Sequence, residues 1–155
     1  MFIHLATDHA GFGHKEVVKS WLQEEGFKVT DHGAHEIDEL DDFPDFIAKA
    51  AAAVNEDPHE SRGIIFGGSG QGEAMMANSY PKVRAVVYYG GDESIPVLSR
   101  QHNNSNVISI GARFIDTNTT KRVVWNWLHA EFLTDEKYQR RNDKMEQITN
   151  HINHE

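Results

Sequence analysis

From Arg62 to Glu73 the chain reads Arg-Gly-Ile-Ile-Phe-Gly-Gly-Ser-Gly-Gln-Gly-Glu. The apolar run Ile64–Phe66 predicts a buried strand. Four glycines crowd the next six residues, and a helix is expected over Ala74–Ser79. A strand that passes through unshielded backbone into a helix leaves main-chain N–H groups converging at the helix start, a nest for an anion or a developing oxyanion. The same segment places Ser69 and Glu73 beside one small pocket. That pair points to proton-transfer chemistry more than to nucleotide binding.

The rest of the chain alternates in the same sense. Strands are predicted over Phe2–Ala6, Phe27–Thr30, Gly63–Phe66, Arg84–Tyr88 and Val107–Ile110. Helices are predicted over Gly13–Glu25, Asp45–Val54, Ser94–Gln101 (Pro96 in its first turn), Thr117–Glu131 and Lys137–Ile152. Val17, Val18, Trp21 and Leu22 share one helix face, as do Val123, Val124, Trp127 and Leu128. Strands alternating with helices imply right-handed crossovers, and hence an α/β fold. The expected architecture is a three-layer α/β/α sandwich: a Rossmann-like five-stranded parallel sheet with a C-terminal helix, in a single domain over 1–155. Open sheets of this kind bind ligands beyond the carboxyl ends of their strands. The rule selects Thr7–Gly11, Gly67–Glu73, Tyr89–Asp92 and Gly111–Phe114.

Composition excludes several classes. A net charge of −9 argues against nonspecific nucleic-acid binding, although a local cationic site can still hold an anion. With no cysteine there is no disulfide, thiol nucleophile or thiolate metal ligand. No signal peptide is visible, and no stretch approaches the ~18 apolar residues of a membrane span, so no membrane partner and a cytoplasmic location are expected. The eight histidines other than His9 and His102 show no convincing metal spacing, and no metal is expected. The acidic run Glu36–Asp42 reads as a solvated loop.

The polar residues at the selected loops carry the chemistry. Asp8 can accept a sugar hydroxyl or move a proton between oxygens, or can cap the turn that follows it. His9 can donate to a phosphate, or pack. The glycine loop is not a Walker A motif, since no Lys-Ser/Thr pair closes it, and it fails the dinucleotide spacing. Glu73 at a helix start would be kept ionised by the helix field, and Ser69 is either a cap or a substrate ligand. His102, followed by Asn103 and Asn104, can end its helix or act as an acid toward a ring oxygen. Arg113 follows the fifth strand as an anion ligand. Lys137, Arg140 and Arg141 oppose the dipole at the start of the last helix, a conflict that a phosphate would resolve.

Taken in order, Thr7-Asp8-His9-Ala10-Gly11-Phe12, Phe43-Pro44-Asp45, Gly67–Glu73, Ala77-Asn78, His102–Val107, Gly111-Ala112-Arg113 and Gln139-Arg140-Arg141 resemble the type B ribose-5-phosphate isomerases. The wider family also contains galactose-6-phosphate isomerase subunits. The resemblance runs over about Ile3 to Met145. It implies aldose–ketose isomerisation of a phosphorylated sugar with no cofactor. Many members carry their base as a Cys at the position of Gly67; this chain resembles the branch whose base is the carboxylate at Glu73. Ser69 and the backbone of Gly68, Gly70 and Gly72 would hold the oxyanion. Asp8 and His102 would open the sugar ring. His9, Asn103, Arg113, Lys137 and Arg141 would bind the substrate. The family is usually dimeric, which implies a homodimer or a tetramer. A partner would complete each site with His102, Asn103, Arg113 and the last-helix cations, and the helix over about 137–152 would pack at the interface. Lys137 stands where Arg is common, Tyr138 where His is common, and Ser79 where Lys is common.

Overall fold

The computed structural model describes residues 1–154. Its strands are β1 (Phe2–Thr7), β2 (Lys28–Asp31), β3 (Ser61–Gly67), β4 (Ala85–Tyr88) and β5 (Val107–Gly111). Its helices are α1 (Phe12–Glu24), α2 (Pro44–Glu56), α3 (Gln71–Ala77), α4 (Ser94–Asn103), α5 (Thr117–His129) and α6 (Glu136–His154), with a short 3-10 turn at His9–Gly11. All strand pairs are parallel, in the order β2-β1-β3-β5-β4. The expected five-stranded α/β/α arrangement is the one observed.

Alternation along each strand divides the core in two. Ile3, Leu5, Ile64, Phe66, Ile108 and Ile110 face Val18 and Leu22 of α1 and Val123, Val124, Trp127 and Leu128 of α5. Ala6, Ile65 and Val107 face Ile47, Ala50, Ala51 and Val54 of α2 and Ala77 of α3. The buried Trp127 indole still finds an acceptor, donating from Nε1 to Ser105 Oγ at 3.0 Å. Strands covered on both faces read as nearly unbroken apolar runs, which is why β3 and β5 stand out in the sequence.

Most predicted boundaries fall within two residues of the observed ones, and α3 differs most. It begins at Gln71 instead of Ala74, because Gly70 takes a left-handed conformation (φ 78°) and turns the chain into the helix at once. It ends at Ala77, where Asn78 leaves the helix. The Asn78 side chain donates to Ala85 O at 3.0 Å and accepts from Ala85 N at 2.8 Å, tying the helix end to β4.

One polar cluster lies inside this frame. The Lys15 side chain is 0% exposed and its Nζ stands 2.6 Å from Asp31 Oδ2 and 2.9 Å from Glu16 Oε1. Lys19 Nζ reaches the same Asp31 oxygen at 2.9 Å. Burial alone would raise the Asp31 carboxyl. The two ammonium groups and the Gly33 N–H outweigh it and hold the pKa down at about 2. A depressed carboxylate stabilises the fold above its ordinary pKa of 3.8, and that contribution is lost as pH falls toward about 2. Asp31→Asn leaves a buried ammonium short of its strongest partner. It is expected to lower stability by about 3 kcal/mol in urea unfolding at pH 7, with the difference from wild type narrowing below pH 3.8.

Candidate active site

The strand order creates a fork. From β1 the chain crosses to β2 on one side, and then returns to β3 on the other. The loops leaving β1 and β3 therefore diverge and open a crevice at the carboxyl edge, the usual ligand position in such sheets. Register holds the edges level, with Thr7 opposite Phe66 and Gly67 opposite Gly111. Thr7 Oγ1 donates across the gap to Phe66 O at 3.2 Å.

Three carbonyls of the glycine loop are anchored to β5 and the turn after it. Gly67 O accepts from Ala112 N at 2.9 Å, Gly68 O from Arg113 N at 3.1 Å, and Gly70 O from Ser109 Oγ at 2.6 Å. With its carbonyls turned to that side, the loop leads directly into α3, whose first N–H groups have no acceptor within the helix. Ser69 sits exposed at the loop tip, and its Oγ accepts from Gln71 N at 3.4 Å. It is thus a weak brace just outside the helix, whose N-cap is Gly70. Gly72 lies in the first turn of α3, where a Cβ would stand 2.8 Å from the Phe43 ring.

Glu73 completes that first turn and is only 5% exposed. Its carboxylate fills the space that a Cβ on Gly67 would occupy. Burial pushes its pKa up; the hydrogen bond from its own N–H pulls it down, and the negative charge of Asp8 pushes it up again, for a net rise above 4.5. Desolvation therefore outweighs the backbone hydrogen bond at this helix start of seven residues, raising the proton affinity of Glu73. The result is a carboxylate of increased basicity, tuned toward the range in which a general base works best.

Asp8 is 8% exposed. Its Oδ1 accepts from Ala10 N at 2.9 Å, so it caps the 3-10 turn while also facing the site. His9 follows it. Its Nδ1–H donates to Asp41 Oδ1 at 2.6 Å and its main-chain N–H to the same oxygen at 3.2 Å. Asp41 belongs to the acidic run read from sequence as a solvated loop; at this one position that reading is wrong. Nothing local marks Asp41, since its partner lies 32 residues away. The faint signal is its place two residues before the Phe43-Pro44 turn that starts α2.

Arg113 is exposed at the end of β5 and lies along the glycine loop. A Cβ built on Gly68 would stand 3.0 Å from its Nη1. Its charge also acts on His9. The resemblance assigns Arg113 to the partner's contribution; the structure instead lays it against Gly68 of its own chain, because the β5–α5 turn is bonded to that loop.

The remaining candidates gather elsewhere. The rings of His102, at the end of α4, and Tyr138, in α6, are stacked with centroids 4.4 Å apart and planes 9° apart. Asn142 Nδ2 donates to His102 O at 2.8 Å, which fixes the end of α4 on α6. Lys137 Nζ sits 4.8 Å from the Tyr138 ring centroid, and Asn103, Lys137 and Arg141 are exposed. The α4 terminus itself is formed by Asn104 in a left-handed conformation (φ 49°), not by His102. The single chain therefore presents two groups. Asp8, His9, Ser69, Glu73 and Arg113 surround the fork, whereas His102, Asn103, Lys137 and Arg141 cluster at the α4–α6 junction.

A carboxylate whose pKa rises on folding weakens the fold at any pH where it is ionised. Glu73→Gln is therefore expected to be more stable than wild type at pH 7. The gain should shrink as pH falls toward 4.5, where both states protonate. Urea unfolding of the two proteins across this range measures it. Equal stability at every pH would show that the carboxylate is not under desolvation stress.

Residues 3–145 match the model of the family described as Ribose/Galactose Isomerase. The probable ribose-5-phosphate isomerase B of Mycoplasma genitalium is 34% identical, over 92% of this chain and 92% of that protein. The D-erythrulose-4-phosphate isomerase of Pectobacterium atrosepticum is 32% identical over 84% of each chain. The crystal structure of the Mycoplasma genitalium ribose-5-phosphate isomerase B with bound ribulose-5-phosphate superposes with a TM-score of 0.91 at 32% identity, covering 96% of both chains. The chain belongs to the ribose/galactose isomerase family and is, by that membership, an isomerase.

Proposed function

We propose that this protein interconverts ribose 5-phosphate and ribulose 5-phosphate, with Glu73 as the base. The observation that carries the reading is the buried carboxylate of raised basicity, set among glycine backbone at the fork of a parallel sheet. Asp8 and a His102 open the furanose ring. Glu73 then takes the C2 proton and returns it to C1 through a cis-enediolate. The N–H groups between Gly68 and Gly72, with Ser69, stabilise the developing oxyanion; losing one such donor typically lowers turnover ~10²–10³-fold. His9 and Arg113 hold the phosphate from one side, with Lys137 and Arg141 opposite, so that C1 and C2 are placed before Glu73. Proton transfer between neighbouring carbons by this route draws on side chains and backbone alone.

The division into two groups supports a homodimer in which the α4–α6 cluster of one protomer faces the glycine loop of the other. Exposure of Met145, Ile148 and Ile152, at helical spacing along α6, supports burial of that helix against a second copy. In this arrangement Lys137 serves the phosphate as a point charge, where Arg would offer a planar fork.

Three measurements test the reading. A panel of ribose 5-phosphate, allose 6-phosphate, galactose 6-phosphate and a tetrose phosphate, followed by aldose–ketose conversion, is expected to show the highest kcat/KM for ribose 5-phosphate. Preference for the tetrose phosphate would move this chain toward the erythrulose-phosphate branch of its relatives. Glu73→Gln is expected to abolish turnover while sparing sugar-phosphate binding by calorimetry; full activity would remove Glu73 as base. Mixing inactive Glu73→Gln and inactive His102→Ala protein is expected to restore part of the activity through hybrid dimers. No recovery after subunit exchange would place both residues in one protomer's site.

A further inference from the structure

The β2–α2 loop carries Glu36, Asp38, Glu39, Asp41 and Asp42, and most of these side chains face solvent. Asp41 does not: its side chain is 8% exposed. Both hydrogen bonds to its Oδ1 come from His9, one from the ring and one from the main chain. Its Oδ2 is buried with no hydrogen-bond partner among the described residues. Withdrawing a carboxylate from water and leaving one oxygen unpaired is expensive unless a nearby positive charge compensates. The group placed to provide that charge is the His9 ring.

We propose that Asp41 is the positioning residue of His9: it locks the imidazole through Nδ1 and presents Nε2–H, as part of an imidazolium, to the phosphate of the bound sugar. The inference rests on the reading of His9 as a phosphate ligand given above. A neutral imidazole has one N–H, and Asp41 already takes the proton on Nδ1, so Nε2 of a neutral ring would offer only a lone pair to an anion. Only the doubly protonated ring can serve Asp41 and a phosphate together. The surroundings favour that form. The hydrogen bond to Asp41 is the largest influence raising the His9 pKa above 6.5, the charges of Asp8 and Asp41 add to it, and partial burial and Arg113 oppose it. These groups come from the turn after β1, the β2–α2 loop and the β5–α5 turn. The arrangement explains why one acid of an otherwise solvated run turns inward: the loop is held to the crevice by the pair it forms. It also places the imidazolium and the Arg113 guanidinium on the same side of the fork.

The test uses the full chain with isotope-labelled histidine, titrated by NMR, together with steady-state kinetics on ribose 5-phosphate. In wild type the His9 ring is expected to titrate above 6.5. In Asp41→Asn it should titrate lower, because the hydrogen bond and charge that raise it are lost. The KM at pH 7.5 should then rise about tenfold, as for the loss of one charge-assisted hydrogen bond, with kcat little changed, and the defect should narrow at pH 6, where His9 protonates unaided. In a His9→Asn background Asp41→Asn should add nothing. Far-UV circular dichroism checks folding, and Asp41→Ser replaces Asp41→Asn if the amide variant is not folded. An unchanged His9 titration, or full additivity with His9→Asn, overturns the proposal. A lowered titration in a protein that turns over no sugar phosphate supports the pairing and sinks the functional reading instead.

Discussion

A carboxylate cannot be hidden from water cheaply, and the organisation of this site follows from where one is hidden. Glu73 sits in the void beside Gly67, in the first turn of α3 with no ion-pair partner among the described residues, and Asp8 adds a second negative charge nearby. Its proton affinity rises as a result. Three features make the placement possible. Gly67 has no side chain to fill the void. Gly70 bends the chain so that the helix begins three residues earlier than its apolar pattern suggests. The carbonyls of Gly67, Gly68 and Gly70 are bonded to β5 and the turn that follows it. Removing any one of them would move the carboxylate, the N–H groups, or both.

The fork between β1 and β3 does a second task. It collects residues far apart in sequence, Asp8 and His9 from one loop, Ser69 and Glu73 from another, Arg113 from a third, on one rim. The α4–α6 junction collects His102, Tyr138, Lys137 and Arg141 on another. The stack of His102 on Tyr138 and the bond from Asn142 to the end of α4 make that junction rigid. Rigid elements hold side chains more accurately than mobile loops do.

The elements themselves were legible in the sequence because burial writes them there. Ile64–Phe66 and Val107–Ile110 are covered on both faces and read as short apolar runs; Val123, Val124, Trp127 and Leu128 fall on one helical face. The glycine loop was legible as a nest because no other residue type tolerates such close approach. Three things were not. The ionisation of Glu73 depends on how deeply it is buried, which the helix-start pattern does not encode. The position of Arg113 depends on the bonds from Ala112 and Arg113 to Gly67 and Gly68, a tertiary register. Asp41 is indistinguishable in sequence from its acidic neighbours, and only the approach of His9 across the crevice sets it apart.

The shared volume of Gly67 and Glu73 has an evolutionary meaning. A Cβ at position 67 would fall on the Glu73 carboxylate, so the two positions draw on one small space. A side chain at 67 and the carboxylate of Glu73 in its present position exclude each other sterically. A side chain arriving at 67 must wait until the acid at 73 has been shortened or turned away, and the acid must wait for 67 to become glycine.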